Sequence, residues 1–291
     1  MCVARKHGLV VVSDLGVRRL CVYSLADGSL VRSIGSEGSG KGQFDFFNGG
    51  LCVSPDGDSV LVAEYYNNRV QQVRIVDGSW VRFVGKGVLK EPQYVDCNAD
   101  VIVVSEWCHR ISVLSWADGS VRKQFGSQGS GPGQLNDPCG VRLLADGSEV
   151  VVVDKDNHRL CVFALSGEFA AAVGSREQGL SYPFDVLECT SDGSFIVANG
   201  LGHNLVKLSR DGSEFEAYHG NSGSGNGEFN GPTTLAALPG GGMVVLESKE
   251  ARFRVFHGLE LRKAWITMCV TLATHGWRTD DTAKRVRVGG V

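Results

Sequence analysis

Five acid–arginine couples are the residues best placed to do chemistry in this sequence: Asp14 with Arg19, Glu64 with Arg69, Glu106 with Arg110, Asp154 with Arg159, and Glu247 with Arg252. In each, an apolar run ends in a carboxylate and a guanidinium follows four or five positions later. Such a couple can bind an anion, move a proton, or neutralise itself. Recurrence argues for neutralisation, because a catalytic pair is not needed in copy after copy. A sixth copy strengthens this reading: where the acid is replaced by Asn199, the arginine is replaced by Asn204. The couples are therefore expected to be structural ion pairs, worth little if exposed and more if partly buried.

Three further groups could carry chemistry. His109, His158 and His203 occupy one repeat position in successive copies. Symmetric imidazoles can hold a metal, yet these lie on the hairpin loop between the middle strands, away from the innermost strand, so a structural role is expected and no metal is assigned. Nine cysteines are odd in number and scattered, with no Cys-x-x-Cys pair, which argues against a zinc site. Cys21 and Cys161 fall at equivalent strand positions and read as small buried hydrophobes. Gly35-x4-Gly40-Lys41-Gly42 has a phosphate-loop spacing, but the Ser/Thr that would contact Mg²⁺ is missing, no helical pattern follows, and the sibling segments lack the lysine. No Ser/His/Asp arrangement stands out. No catalytic residue and no cofactor is assigned.

The elements that must position these residues repeat every 42 to 50 positions. The fourth copy is the clearest. Gly140–Leu144 reads as a strand, Asp146-Gly147 as a turn, and the unbroken Val150–Val153 run as a strand buried on both faces. Arg159–Phe163 alternates like a half-buried strand, and a fourth strand ends at Gly174. Asp-Gly pairs recur at 27, 56, 77, 118, 192 and 211 and predict two-residue hairpin turns. Four short strands per unit of this length predict an all-β fold: a six-bladed β-propeller of four-stranded antiparallel blades. Glycine-rich connectors, Gly35–Phe44, Gly126–Leu135 and Gly220–Phe229, join the units.

The run Asp154-Lys155-Asp156-Asn157-His158-Arg159-Leu160, together with the Gly-Ser-Gly-Pro-Gly-Gln connector, resembles the NHL-repeat family of propellers. The resemblance covers residues 1–265, with the first repeat truncated at its N-terminal strand. Ile266–Thr274 is apolar enough for one closing strand, expected to help complete the first blade, and the rest of 266–291 reads as a disordered tail. What the resemblance implies is a recognition module, such as the substrate-binding part of TRIM-NHL ubiquitin ligases, whose RING, B-box and coiled coil are not seen here. Two other classes stay open: single-stranded RNA binding, and a metal-dependent lyase or lactonase built on the central channel.

Net charge is −3, so no global drive toward nucleic acid or anionic membrane is visible. No apolar stretch reaches about 18 residues, and the N-terminus leads into only a four-residue apolar run, too short for a signal-peptide core. A monomeric, cytoplasmic propeller with a protein partner is expected. Topology places the loops between strands two and three on one face with the connectors. That face gathers Phe46, Phe47, Tyr65, Tyr66, Trp107, Lys155 and Lys249. These are the binding-face candidates, since aromatics anchor interfaces.

Overall fold

The computed structural model describes residues 1–45, 50–189, 191–225, 227–238, 241–247, 252–256, 265–267 and 287–288. It is a six-bladed β-propeller with no α-helix among those residues; two single 3₁₀ turns, Arg5–His7 and Lys155–Asn157, sit on hairpin loops. The innermost strands are Cys2–Ala4, Leu51–Val53, Pro92–Cys97, Pro138–Leu143, Pro183–Glu188 and Pro232–Ala237. Each pairs outward with antiparallel neighbours. The second strand of every blade is sealed on both faces. Val150 to Val153 are all fully buried, because alternate side chains enter the cores on either side of the sheet.

The cores lie between blades. Val11 and Leu20 pack with Val60, Val62 and Val73 of blade two. Val10, Val12 and Tyr23 turn the other way and meet Val244, Phe253 and Val255 of blade six. This blade-six to blade-one core closes the ring, with the Tyr23 and Phe253 rings edge-on at 5.6 Å. The C-terminal strand Trp265–Thr267 pairs with Arg252–Phe256, through Ile266 opposite Val255. It is the fourth strand of blade six, and Arg287–Val288 adds a fifth. The expectation that this segment completes blade one is corrected accordingly. Blade one has its own inner strand, paired Cys2 to Val11 and Ala4 to Leu9.

Turn chemistry also differs in detail from the sequence reading. At Asp27-Gly28 only the glycine has positive φ, at 70°, and the Ser24 N–H donates to Ser29 O, enclosing a four-residue loop. The aspartate works through its side chain instead: Asp27 Oδ1 accepts both the backbone N–H and the hydroxyl of Ser29. The same pattern recurs at Asp77 with Ser79, Asp118 with Ser120, and Asp211 with Ser213. These loops form the face opposite the connectors.

The connectors fold back on themselves. Ser36–Glu37 pairs in parallel with Gln43–Phe44, and Asn221–Ser222 with Glu228–Phe229. The third connector makes a bridge from Gln128 to Leu135. Phe44, Leu135 and Phe229 plug the interblade cores with no exposure. Gly38 shows why the motif needs glycine. Its φ is +143°, and a Cβ there would stand 2.7 Å from the Gln43 side chain. Lys41 lies 4.1 Å over the Trp80 ring.

Candidate functional site

The acid–arginine couples are the frame on which one face of the propeller is built. Arg69 and Glu64 are both buried and bond at 2.8 Å. Glu106–Arg110, Asp154–Arg159 and Glu247–Arg252 close at 2.6, 2.7 and 2.9 Å. Arg254 adds a second guanidinium to Glu247, at 2.5 Å. The carboxylates have a second duty invisible in the sequence. One carboxylate oxygen also accepts a backbone N–H from the segment entering the inner strand of the same blade: Asp45 to Glu64, Lys90 to Glu106, Asn136 to Asp154, and Asn230 to Glu247. The guanidinia meanwhile donate to connector carbonyls, as Arg69 does to Ser39, Gly40 and Gln43. Each couple therefore ties a blade to the connector that launches it from the preceding blade. Burial pushes the Glu64 carboxyl above its ordinary value, against the pull of Arg69 and Asn67.

Two copies depart from the pattern. Asn199 reproduces the whole arrangement with amides: its Oδ1 accepts from Ser181 N, and its Nδ2 donates to Gly179 O and to Asn204 Oδ1. Asp14 and Arg19 face each other across the strand pair but do not form an ion pair among the described residues. Asp14 accepts from Gly16 N, and Arg19 Nε is buried without a partner there.

The histidines are backbone acceptors. His109, His158 and His203 hold left-handed φ of 63°, 54° and 53°. Each Nδ1 takes a backbone N–H from the next blade: Asp137 at 3.1 Å, Tyr182 at 3.0 Å and Gly231 at 3.1 Å. Burial, aided by Arg176, lowers His158 below the usual imidazole value. Asn68, which the histidine pattern misses, is a fourth member, accepting from Glu91 N at 2.8 Å. Among the described residues no three His, Cys, Asp or Glu side chains gather as a metal site would require.

The residues that receive these bonds form a second recurring feature. Glu91, Asp137 and Tyr182 have φ of 50°, 52° and 47°, and Gly231 has 70°. Each immediately precedes the proline that opens an inner strand. Non-glycine residues in this region are strained, and here the strain is held at the channel mouth. The signal in sequence is an X-Pro recurring in phase with the acids: Glu91-Pro92, Asp137-Pro138, Tyr182-Pro183 and Gly231-Pro232.

Apolar groups collect on this connector face. Of eleven large hydrophobic side chains exposed among the described residues, seven lie there: Leu15, Val17, Tyr66, Val88, Trp107, Tyr182 and Leu201. Tyr66 is 51% exposed and Trp107 39%. Half-buried Tyr65 links them, edge-on to Tyr66 at 5.0 Å and to Trp107 at 6.3 Å. Arg18 stands 5.8 Å over Tyr66 and pairs with Asp45 at 3.3 Å. Lys155 bonds Asp137 and lies 5.9 Å over Trp107. Its burial would lower the ammonium, but Cys139, Asp137 and Asp156 outweigh this and hold it above its ordinary value. Of the sequence candidates, the fold thus joins Tyr65, Tyr66, Trp107 and Lys155. Phe46, Phe47 and Lys249 lie outside the described residues. Tyr182 and Leu201, from blades four and five, are members that sequence reasoning missed.

The fold and this face define the class: a six-bladed propeller presenting an apolar, aromatic-bearing surface at one end of its channel. No protein-family model matches the chain. Over 136 residues, 46% of its length, the chain is 26% identical to the protein brain tumor of Drosophila melanogaster. That stretch spans 12% of the fly protein. No helix among the described residues is long and apolar enough to cross a membrane.

Proposed function

We propose that this chain is an NHL-type recognition scaffold that docks a protein partner on its connector face. One observation carries the reading: exposed apolar side chains from four blades lie on one face, with Tyr65 touching both Tyr66 and Trp107. Singly scattered surface hydrophobes are ordinary, but a contiguous patch marks an interaction site. Tyrosine and tryptophan bury much area with few rotatable bonds, as hot spots require. The repeat motif and the similarity to the fly protein support the NHL assignment.

Protein is favoured over RNA because the cations nearest the aromatics are engaged. Arg18 pairs with Asp45, and Lys155 with Asp137 and Asp156. Phosphate recognition needs a basic stripe. A role as the substrate-recognition part of a ubiquitin ligase follows from the family resemblance alone. The eight described cysteines carry free thiols, which suits a monomeric ring in the cytoplasm.

The test is affinity capture with and without nuclease, followed by titration of the recovered partner. Tyr66→Ala and Trp107→Ala should each weaken binding by about 1 to 3 kcal/mol with the melting temperature unchanged. Capture that disappears on nuclease treatment would replace the protein reading with RNA. Loss of stability in either variant would show that these rings serve the fold.

A further inference from the structure

The propeller has a second site at the other end of its channel. In register, the inner-strand residue opposite the position three before the acid, or before Asn199 in blade five, is Cys2, Cys52, Asp96, Arg142, Leu187 or Ala236, one from each blade. These six symmetry-equivalent residues share one layer, and all line a single cavity of about 160 Å³ that opens toward the Asp-Gly loops. Elsewhere the repeat keeps equivalent positions chemically alike, as with the acids and the buried second strands. Here it is broken completely. Two thiols, a carboxylate and a guanidinium stand on one side, with leucine and alanine on the other.

The polar side is built for a ligand with two charges. Arg142 is only 14% exposed and pairs with fully buried Asp185 at 2.8 Å. Its Nη2 also donates to Leu235 O at 3.2 Å. Nη1 reaches the carbonyl of its own neighbour, Val141, at 3.4 Å. A guanidinium carries five donors; this one lines the cavity while its two terminal nitrogens bond Asp185 and the carbonyls of Val141 and Leu235. Asp96 sits beside it, one oxygen accepting from Leu143 N at 2.9 Å. Arg5, donating to Ala237 O at 3.3 Å, stands at the rim. Charges of both signs surround the cavity, Arg5, Arg142 and the Met1 amino group against Asp96 and Asp185, so a ligand carrying both signs can find a partner for each. A cavity near 150 Å³ takes a body of about six carbons.

We propose that this layer binds a small free α-amino acid with an apolar side chain, its carboxylate on Arg142, its ammonium on Asp96, and its side chain against Leu187 and Ala236. The site lies on the face opposite the aromatic patch and is independent of it.

The test is isothermal titration of the intact chain with four probes: L-leucine, L-phenylalanine, isocaproate, which lacks the ammonium, and isoamylamine, which lacks the carboxylate. An amino acid should bind saturably, and the two truncated probes about tenfold or more weaker, since each lost charged hydrogen bond is worth about that factor. Asp96→Asn should abolish the preference for leucine over isocaproate while leaving isocaproate affinity unchanged. Arg142→Met leaves Asp185 without its cation and can unfold, so Ala236→Met, which fills the cavity without altering charge, is the parallel variant and should abolish binding. Absence of saturable heat with every probe overturns the proposal. So does leucine binding that survives Ala236→Met unchanged, or an Asp96→Asn variant that keeps the preference.

Discussion

Replacing Arg69 with methionine should be among the most damaging single changes in this protein. The guanidinium is 2% exposed and reaches both oxygens of Glu64, at 2.8 and 3.2 Å. It also donates to the carbonyls of Ser39, Gly40 and Gln43, at 2.7 to 3.3 Å, and lies 3.9 Å over the Phe83 ring. Methionine keeps most of the stem packing and removes the donors. Glu64 is then buried without its cation, and three connector carbonyls lose a partner. Removing one member of a buried pair costs about 3 to 5 kcal/mol. At about 2 to 4 °C per kcal/mol for a domain of this size, the melting temperature should fall by roughly 6 to 20 °C. Blade five supplies the control, since Asn199 and Asn204 hold the same geometry with a 2.8 Å amide contact and no charge. The double variant Glu64→Gln/Arg69→Gln should therefore recover at least half of the loss. A pH signature accompanies the single variant. Burial already raises the Glu64 carboxyl, and without Arg69 it rises further. The penalty is then fully present above that folded value and is relieved as pH falls through it, so the loss at pH 5 should be smaller than at pH 7. The assay is urea unfolding at both values. A double variant as unstable as the single one, with equal losses at both pH values, would refute the reasoning.

Further outcomes follow from the repeated local motifs. The turn aspartates are held below the usual carboxylate range by hydrogen bonds, Asp118 at about 2 chiefly by the backbone N–H and hydroxyl of Ser120, and Asp211 at about 2 first by the Ser209 hydroxyl and then by the N–H and hydroxyl of Ser213. Their contribution is present above the unfolded value near 4 and lost as pH falls from about 4 toward 2; Asp118→Asn with Asp211→Asn should flatten the acid limb of melting temperature against pH. His109→Ala, His158→Ala and His203→Ala should each cost about 1 to 3 kcal/mol by orphaning a backbone N–H, whereas asparagine, which blade two already uses at Asn68, should restore most of it in thermal unfolding. Ending the chain after Phe256 removes the strand paired with Val255 and Phe256 and should lower the melting temperature by several degrees; an unchanged melt would make that strand passive.

Much of the architecture is local and was therefore readable. A propeller blade is a meander of neighbouring strands, so the Val150–Val153 run, the turn signals and the 42-to-50-residue spacing encode it without reference to distant contacts. Four of the five acid–arginine couples were legible for the same reason, both partners sitting at the ends of one hairpin loop; Asp14 and Arg19 do not pair. The Asp-Gly loops were placed correctly, but their geometry was not, since the side-chain bond from aspartate to the second following serine competes with the two-residue turn.

What lies between blades was hidden. The backbone N–H that each acid accepts comes from the segment entering its own blade, 16 to 19 positions earlier, and the Nδ1 of each histidine meets the left-handed residue before the next blade's inner-strand proline, 24 to 28 positions later. The binding face needs still more. Tyr66, Trp107, Tyr182 and Leu201, which the proposal places on one docking face, are strangers in sequence and share that end of the propeller only because the blades close a ring. The channel layer is the extreme case. Cys2, Cys52, Asp96, Arg142, Leu187 and Ala236 share no motif. Strand register alone carries them to a common level, and ring closure alone turns that level into a cavity. Sequence determined the repeating unit because a strand's pattern is set by its nearest neighbours; tertiary structure decided the sites because each is a sum over blades that meet only when the circle is complete.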